Sequence, residues 1–167
     1  MTETPETTVR PATAADADAI AAIYNEAVLG STATFDLEPV TAAQRAEWLA
    51  EHDAAHPVIV AEADGEVVAW GSLSAVADRG AWDSTVEIST YVTGDRVSTG
   101  LGTLLGTELE RLAREAGHHV IMARICAENV ASIHLAERLC YRRVGTLREV
   151  GRKFGRWLDV VILEKRL

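Results

Sequence analysis

The residues best suited to chemistry in this 167-residue chain lie in one stretch around Glu87. Glu87 stands inside Val86-Glu87-Ile88, part of a run to Val92 in which apolar and polar residues alternate with the period of a strand. A carboxylate with apolar neighbours is partly withdrawn from water, which suits a proton acceptor. The simpler alternative is a solvated glutamate on an exposed strand face.

A glycine-bearing loop follows this strand and leads into a helix. The loop runs from Thr93 to Gly102, and Gly117 supplies the helix stop. Apolar residues recur at helical spacing, namely Leu101, Leu105, Leu109, Leu112 and Ala116. The backbone N–H groups at such a helix start are unpaired and suit a phosphate. A dinucleotide fold would need a third glycine where Leu105 stands, and a P-loop would need Gly-Lys-Ser/Thr.

The rest of the chain has the pattern of one α+β domain. It predicts a strand, two helices, three strands, a helix, a strand, a helix and two strands, forming a mixed, mostly antiparallel sheet flanked by helices. Thr13-Ala14-Ala15-Asp16 and Thr41-Ala42-Ala43-Gln44 have capping-box spacing. The last two strands are predicted at Arg143 to Val150 and Trp157 to Leu163. Residues 1–7 are expected to be a flexible N-terminus, and residues 8–167 the domain.

Composition restricts the class of partner. The formal charge of −9 argues against nucleic acid or an anionic membrane, because phosphate binding needs clustered basic side chains. Cys126 and Cys140 form no disulfide framework, and neither they nor the histidines have metal-ligand spacing. A reduced cytoplasmic protein without a metal is therefore expected. No apolar run is long enough for a membrane span, and no signal peptide is recognised.

Several blocks of the sequence resemble the GNAT superfamily of N-acetyltransferases. The glycine loop is similar to the superfamily's acetyl-CoA loop, Arg/Gln-x-x-Gly-x-Gly/Ala, although Val97 replaces its first residue. The closer resemblance, over nearly the whole chain, is to the phosphinothricin and methionine sulfoximine/sulfone N-acetyltransferase branch. Its carriers are Ile23-Tyr24-Asn25, Ser31 to Phe35, Val86-Glu87 with Tyr91-Val92, Asn129-x-x-Ser132 and Gly151 to Asp159. The resemblance implies a single-domain GNAT-like fold.

The resemblance also implies where acetyl-CoA binds. In the family the central strand splays from its parallel neighbour, which leaves main-chain groups of Ser89, Thr90 and Tyr91 for the pantetheine arm. Main-chain N–H groups would hold the pyrophosphate along Val97, Ser98, Thr99, Gly100, Leu101 and Gly102. Arg96 is a candidate to compensate for Val97. Asn129 and Ser132 would contact pantetheine, although Asn129 has helix capping as an alternative role.

The substrate side is assigned to four residues beside the proposed base, Glu87. Phe35 would form a lip of the pocket, or else anchor its loop to the core. Arg79 would bind a substrate carboxylate, with a surface salt bridge as the alternative. Val86 and Ile88 flank the base on the same strand.

These assignments predict an acetyl-CoA-dependent N-acetyltransferase acting on the α-amine of a small amino acid-like substrate, by direct transfer. Phosphinothricin, methionine sulfoximine and methionine sulfone are the substrates that the resemblance implies, and a homodimer is expected. Ala136 departs from the branch, which has a histidine there as candidate acid for the thiolate, and His134 lies about 200° away around a helix. The alternatives are another amine such as a peptide N-terminus, or a non-catalytic acyl-CoA-binding regulatory module.

Overall fold

The structure is a computed structural model that describes residues 7–167 of the chain. Within these residues the chain forms seven strands, which are β1 (Thr8–Pro11), β2 (Val58–Ala63), β3 (Glu66–Ala75), β4 (Thr85–Val92), β5 (Val120–Cys126), β6 (Arg142–Lys153) and β7 (Arg156–Arg166). The four α-helices of the same residues are α1 (Ala17–Gly30), α2 (Ala42–Ala50), α3 (Leu101–Glu115) and α4 (Val130–Arg138). The flexible segment predicted at residues 1–7 lies outside the described residues, except for Thr7. No helix within residues 7–167 is long and apolar enough to cross a membrane.

The described strands form one sheet in the order β1-β2-β3-β4-β5-β7-β6. β4 and β5 run parallel, whereas every other neighbouring pair of these strands is antiparallel. The parallel pair forms because α3 carries the chain from the end of β4 back to the start of β5. The prediction of an α+β domain with a mixed, mostly antiparallel sheet is confirmed.

Helix α3 covers one face of the sheet and shares its core with Val86 of β4. Leu105, Leu109 and Ala113 of α3 are fully buried there. Ala113 takes the place in the core that the sequence pattern gave to Ala116, which is exposed because it follows the last helical residue. Gly117 ends the helix region in the left-handed conformation, with a φ of 83°, as expected.

Helices α1 and α2 cover the other face, where aromatic rings dominate the packing. Trp70 of β3 stacks on Tyr91 of β4 with ring centroids 4.8 Å apart, and Tyr24 of α1 meets the Tyr91 ring edge-on at 5.1 Å. Arg45 of α2 lies 4.0 Å above the Tyr24 ring. Both predicted capping boxes are present, at Thr13 and at Thr41.

The last hairpin differs from its prediction. β6 continues to Lys153 and β7 begins at Arg156, so the turn consists of Phe154 and Gly155 alone. Both turn residues have positive φ, 51° and 75°. A phenylalanine in that conformation gives no turn signal in the sequence, since Asn-Gly or Asp-Gly is the usual indicator.

Candidate active site

The candidate site lies where β4 and β5 separate. The two strands pair at Thr85 with Val120, at Val86 with Ile121 and at Glu87 with Met122. Beyond Glu87, β4 continues to Val92 and β5 to Cys126 without further pairing between them. The facing edges of both strands therefore present free backbone N–H and C=O groups to the gap. This opening is the splay that the resemblance implies.

A cavity occupies this opening and extends to the two helices beside it. From β4 and β5 it is lined by Ile88, Ser89, Thr90, Tyr91, Ala123, Arg124 and Ile125. From α3 and the α4 region it is lined by Gly102, Gly106, Asn129, Ser132, Leu135 and Ala136. An added Cβ at Gly102 or at Gly106 would come within 2.8 Å of a leucine side chain of the α4 region. The glycines therefore let the two helices approach closely while keeping space in the cavity.

The loop before α3 has the open backbone that a pyrophosphate needs. Val97, Ser98 and Thr99 are exposed, and Gly100 caps the helix in the left-handed conformation with a φ of 91°. The N–H groups of the first turn of α3 therefore point toward the loop with the positive end of the helix dipole. Arg96, the candidate replacement for the missing basic residue, lies 3.9 Å from both Asp64 and Asp95.

Asn129 and Ser132 stand together at the start of α4. The Asn129 side chain accepts a hydrogen bond from the backbone N–H of Ser132 at 3.2 Å, which caps the helix. Both residues also line the cavity. The structure therefore shows the capping role of Asn129, and its cofactor role stays a prediction.

Tyr91 and Val86 are placed so that neither side chain is free for a ligand. The Tyr91 ring packs among the aromatic residues of the other sheet face, and burial raises the pKa of its hydroxyl well above the usual range. A contact with a cofactor would come from its main chain, as predicted. Val86 is fully buried in the core, so its predicted place beside the substrate does not extend to its side chain.

The other three predicted substrate residues differ in their relation to the cavity. Ile88 lines the cavity. Phe35 is 36% exposed and lies against the backbone of β6 at Gly151, so it reaches the surface while it anchors its loop. Arg79 is exposed, and within residues 7–167 it neither lines the cavity nor forms an ion pair. The structure does not bring Arg79 to Glu87.

Glu87 is largely buried and is bound by an arginine that the sequence did not predict as its partner. Arg124 Nε donates to Glu87 Oε1 at 2.8 Å, and a terminal N–H of the same guanidinium donates to Oε2. The hydrogen bond to Glu87 raises the pKa of Arg124. A signal was present, since Arg124 is the one charged residue in the otherwise apolar Val120–Cys126.

Ala136 lines the cavity from α4, so the position where the resemblance implies a histidine carries no titratable group. His134 is exposed on another side of the helix, as its spacing predicts. Both cysteines within the described residues are unpaired, and neither lines the cavity. Within the same residues, no group of three or more His, Cys, Asp or Glu side chains is arranged to hold a metal ion.

Known proteins of one family are similar to this chain over nearly its whole length. Residues 9–162 match the family model of the acetyltransferase (GNAT) domain. A methionine sulfoximine/methionine sulfone acetyltransferase of Pseudomonas paraeruginosa is 40% identical, with 95% of this chain and 94% of the relative covered. A phosphinothricin N-acetyltransferase of Streptomyces coelicolor is 36% identical over the full length of both chains.

A similar solved structure contains acetyl-CoA. The structure of the acetyltransferase yncA from Salmonella typhimurium, solved with acetyl-CoA, superposes with a TM-score of 0.93 at 36% identity and covers 96% of this chain and 94% of its own. The splayed strands, the open loop and the cavity between α3 and α4 fit the same co-substrate here. The chain therefore belongs to the GNAT family of acetyl-CoA-dependent N-acetyltransferases.

Proposed function

We propose that this enzyme transfers the acetyl group of acetyl-CoA directly to the α-amine of a small amino acid-like substrate. Methionine sulfone, methionine sulfoximine and phosphinothricin are the proposed acceptors. The names of the curated relatives support this substrate class, and the relatives cover nearly the whole chain. The proposal includes the roles of the site residues given below.

The position of Glu87 carries the proposal. It is the last residue of β4 that pairs with β5, and the next residue, Ile88, lines the cavity. As the new amide bond forms, the acceptor nitrogen must lose a proton, and a carboxylate beside the opening is placed to accept it directly or through a water. Because neither described cysteine lines the cavity, direct transfer is favoured over an acetyl-enzyme.

The backbone and α4 are proposed to hold acetyl-CoA, which supplies the activated thioester. The free edge of Ser89 to Tyr91 would bind the pantetheine amides, and the loop from Val97 to Gly102 would bind the pyrophosphate. Asn129 and Ser132 would complete the pantetheine contacts from α4. Because main-chain groups make most of these contacts, Val97 in place of a basic residue weakens the affinity without abolishing it.

The cellular setting and assembly are part of the same proposal. Two unpaired cysteines are consistent with a reducing cytoplasm. A homodimer is supported by the exposed apolar residues along β6, the strand at the edge of the sheet.

Thiol release from acetyl-CoA tests the function, with methionine sulfone, methionine sulfoximine, phosphinothricin and an unblocked peptide as acceptors. We expect turnover on the three amino acid analogues and a loss of kcat of about 100- to 10,000-fold in Glu87→Gln. The affinity for acetyl-CoA, measured by calorimetry, should stay unchanged. Glu66→Gln, an exposed glutamate at the start of β3, is the matched control. Turnover at the wild-type rate in Glu87→Gln would show that Glu87 is not the base. Turnover of the peptide alone would show that the acceptor is a peptide amine and not a small amino acid analogue.

A further inference from the structure

The feature that the proposed mechanism leaves unexplained is the arginine that binds its base. Arg124 stands two residues beyond Met122, the last residue of β5 that pairs with β4. It therefore belongs to the separated part of β5 and reaches back across the gap to Glu87. The Glu87 side chain is 18% exposed and that of Arg124 is 57% exposed, so the guanidinium is the partner that solvent and ligands meet first.

This ion pair opposes the function of Glu87 as a base. Both oxygens of the Glu87 carboxylate accept a hydrogen bond from the Arg124 guanidinium, which therefore occupies the place that an acceptor amine would need. Glu87 is not among the residues that line the cavity, whereas Arg124 is. The guanidinium therefore covers the carboxylate of the proposed base and itself faces the cavity.

Arg124 is also the charged group that an amino acid substrate would meet in the cavity. Among the described residues that line it, every other side chain is uncharged. Arg79, which was predicted from the sequence to bind the substrate carboxylate, is not among the residues that line this cavity. Because the Arg124 side chain is more than half exposed, a second carboxylate can reach its guanidinium from solvent. The fork of a guanidinium accepts a carboxylate in the same two-point geometry in either case.

We propose that Arg124 binds the α-carboxylate of the substrate and exchanges Glu87 for it, so that substrate binding unmasks the base. This inference rests on the proposed function, because it assumes an amino acid-like acceptor. In an α-amino acid the carboxylate and the amine are attached to the same carbon. A carboxylate on Arg124 therefore brings the amine to the carboxylate of Glu87 that the guanidinium has just released. Recognition and activation of the substrate are thereby coupled through one side chain.

The test compares two acceptors that differ in one charge, L-methionine sulfone and its carboxamide. In the wild type we expect a strong preference for the acid. In Arg124→Gln the KM for the acid should rise by about tenfold to a hundredfold, while the KM for acetyl-CoA stays unchanged. Turnover of the carboxamide should not fall, because its binding does not use the arginine and Glu87 is no longer masked. Arg124→Lys, which keeps the charge but loses the two-point contact, should restore part of the preference for the acid.

Arg111→Gln is the matched control, since Arg111 binds Glu108 and Glu115 on the exposed side of α3. It should leave both acceptors unaffected. An unchanged ratio of acid to carboxamide in Arg124→Gln, or an equal loss on both acceptors, would overturn the role of Arg124 while leaving the proposed function intact. Failure of the wild type to acetylate methionine sulfone, methionine sulfoximine and phosphinothricin would overturn the proposed function, and this inference with it.

Discussion

Asp16 is a buried carboxylate that links β1 to the start of α1. The Arg10 guanidinium donates to both of its oxygens, at 2.8 and 2.9 Å, and the backbone N–H of Thr13 donates at 2.7 Å. The hydrogen bond from Arg10 lowers the pKa of Asp16 from its ordinary 3.8 to about 2. Because the folded state favours the ionised form, this stabilisation is complete above the ordinary pKa and is lost as the pH falls toward 2.

Asp16→Asn should lower the free energy of unfolding by about 2 kcal/mol at pH 7. The difference from the wild type should shrink as the pH falls from about 4 toward 2, since the wild-type carboxyl group is then protonated as well. Urea denaturation across this range measures it. Asp18→Asn, at an exposed position of the first helical turn, is the control. A difference that stays constant down to about pH 2.5 would show that the ionised carboxylate is not the source of the stabilisation.

The same residue shows what the sequence can and cannot reveal. The capping box of Thr13 and Asp16 was predicted because both partners lie within four residues of each other, where local geometry is fixed by the helix start. Glu87 was likewise predicted on a strand from its alternating neighbours. Its partner Arg124 is 37 residues away and meets it only because of the register between β4 and β5. No local pattern encodes that register, so the position of Glu87 on a strand was predictable and its ion pair with Arg124 was not.

Among the connecting segments, the one between α1 and α2 is held in place by β6. The ring of Phe35 lies on the backbone of Gly151, and the buried Lys153 donates to the carbonyl of Thr34 at 2.9 Å. Burial lowers the pKa of Lys153. Since Ala33 of this segment lines the cavity, a shift of Phe35 should reach the site.

Gly151→Ala should displace the Phe35 ring. The added Cβ would lie 3.0 Å from Cζ of Phe35 and nearer still to two other ring carbons. We expect the free energy of unfolding to fall by about 1–3 kcal/mol. The KM for the amine acceptor should rise while that for acetyl-CoA stays constant, because Phe35 was predicted at the lip on the substrate side.

Gly145→Ala is the matched control on the same strand, since its added Cβ meets nothing within 4 Å. Steady-state kinetics with both substrates separates the outcomes. Equal changes in both KM values would indicate a general disturbance of the fold. An unchanged KM for the amine, despite the loss of stability, would leave Phe35 with the anchoring role alone.

An irregularity in β6 is the reason why the sequence pattern predicted the wrong bounds for the last hairpin. Leu147 pairs with Val160 and Gly151 with Leu158, so three residues of β6 face the single residue Asp159 of β7. Asp159 stabilises this bulge by accepting from the backbone N–H of Glu149 at 2.8 Å. A bulge interrupts the alternation of faces, and the pattern therefore appeared to end at Val150 although the strand continues to Lys153.

Seen with the sheet as a unit, β6 is an edge strand, and its exposure is unusual for a strand of twelve residues. All nine residues from Arg142 to Val150 are exposed. Val144, Leu147 and Val150 are about half exposed, and Trp157 of the neighbouring strand is 60% exposed. A long edge with unpaired backbone groups and apolar side chains tends to be covered by another chain. A second copy of this protein is the partner expected from the family resemblance.

The assembly can be tested by sedimentation, with an expected mass of about twice the 18.0 kDa chain for the wild type. Leu147→Glu should yield a monomer, because the free energy needed to bury an unpaired carboxylate exceeds the free energy that the apolar contact contributes. The monomer should remain folded by circular dichroism, since Leu147 is 47% exposed within one chain and supports little of its core. Leu104→Glu, at a 40% exposed position of α3, should remain dimeric. A monomeric wild type, or a Leu147→Glu variant that still sediments as a dimer, would mean that the exposed edge of β6 is not the contact between copies.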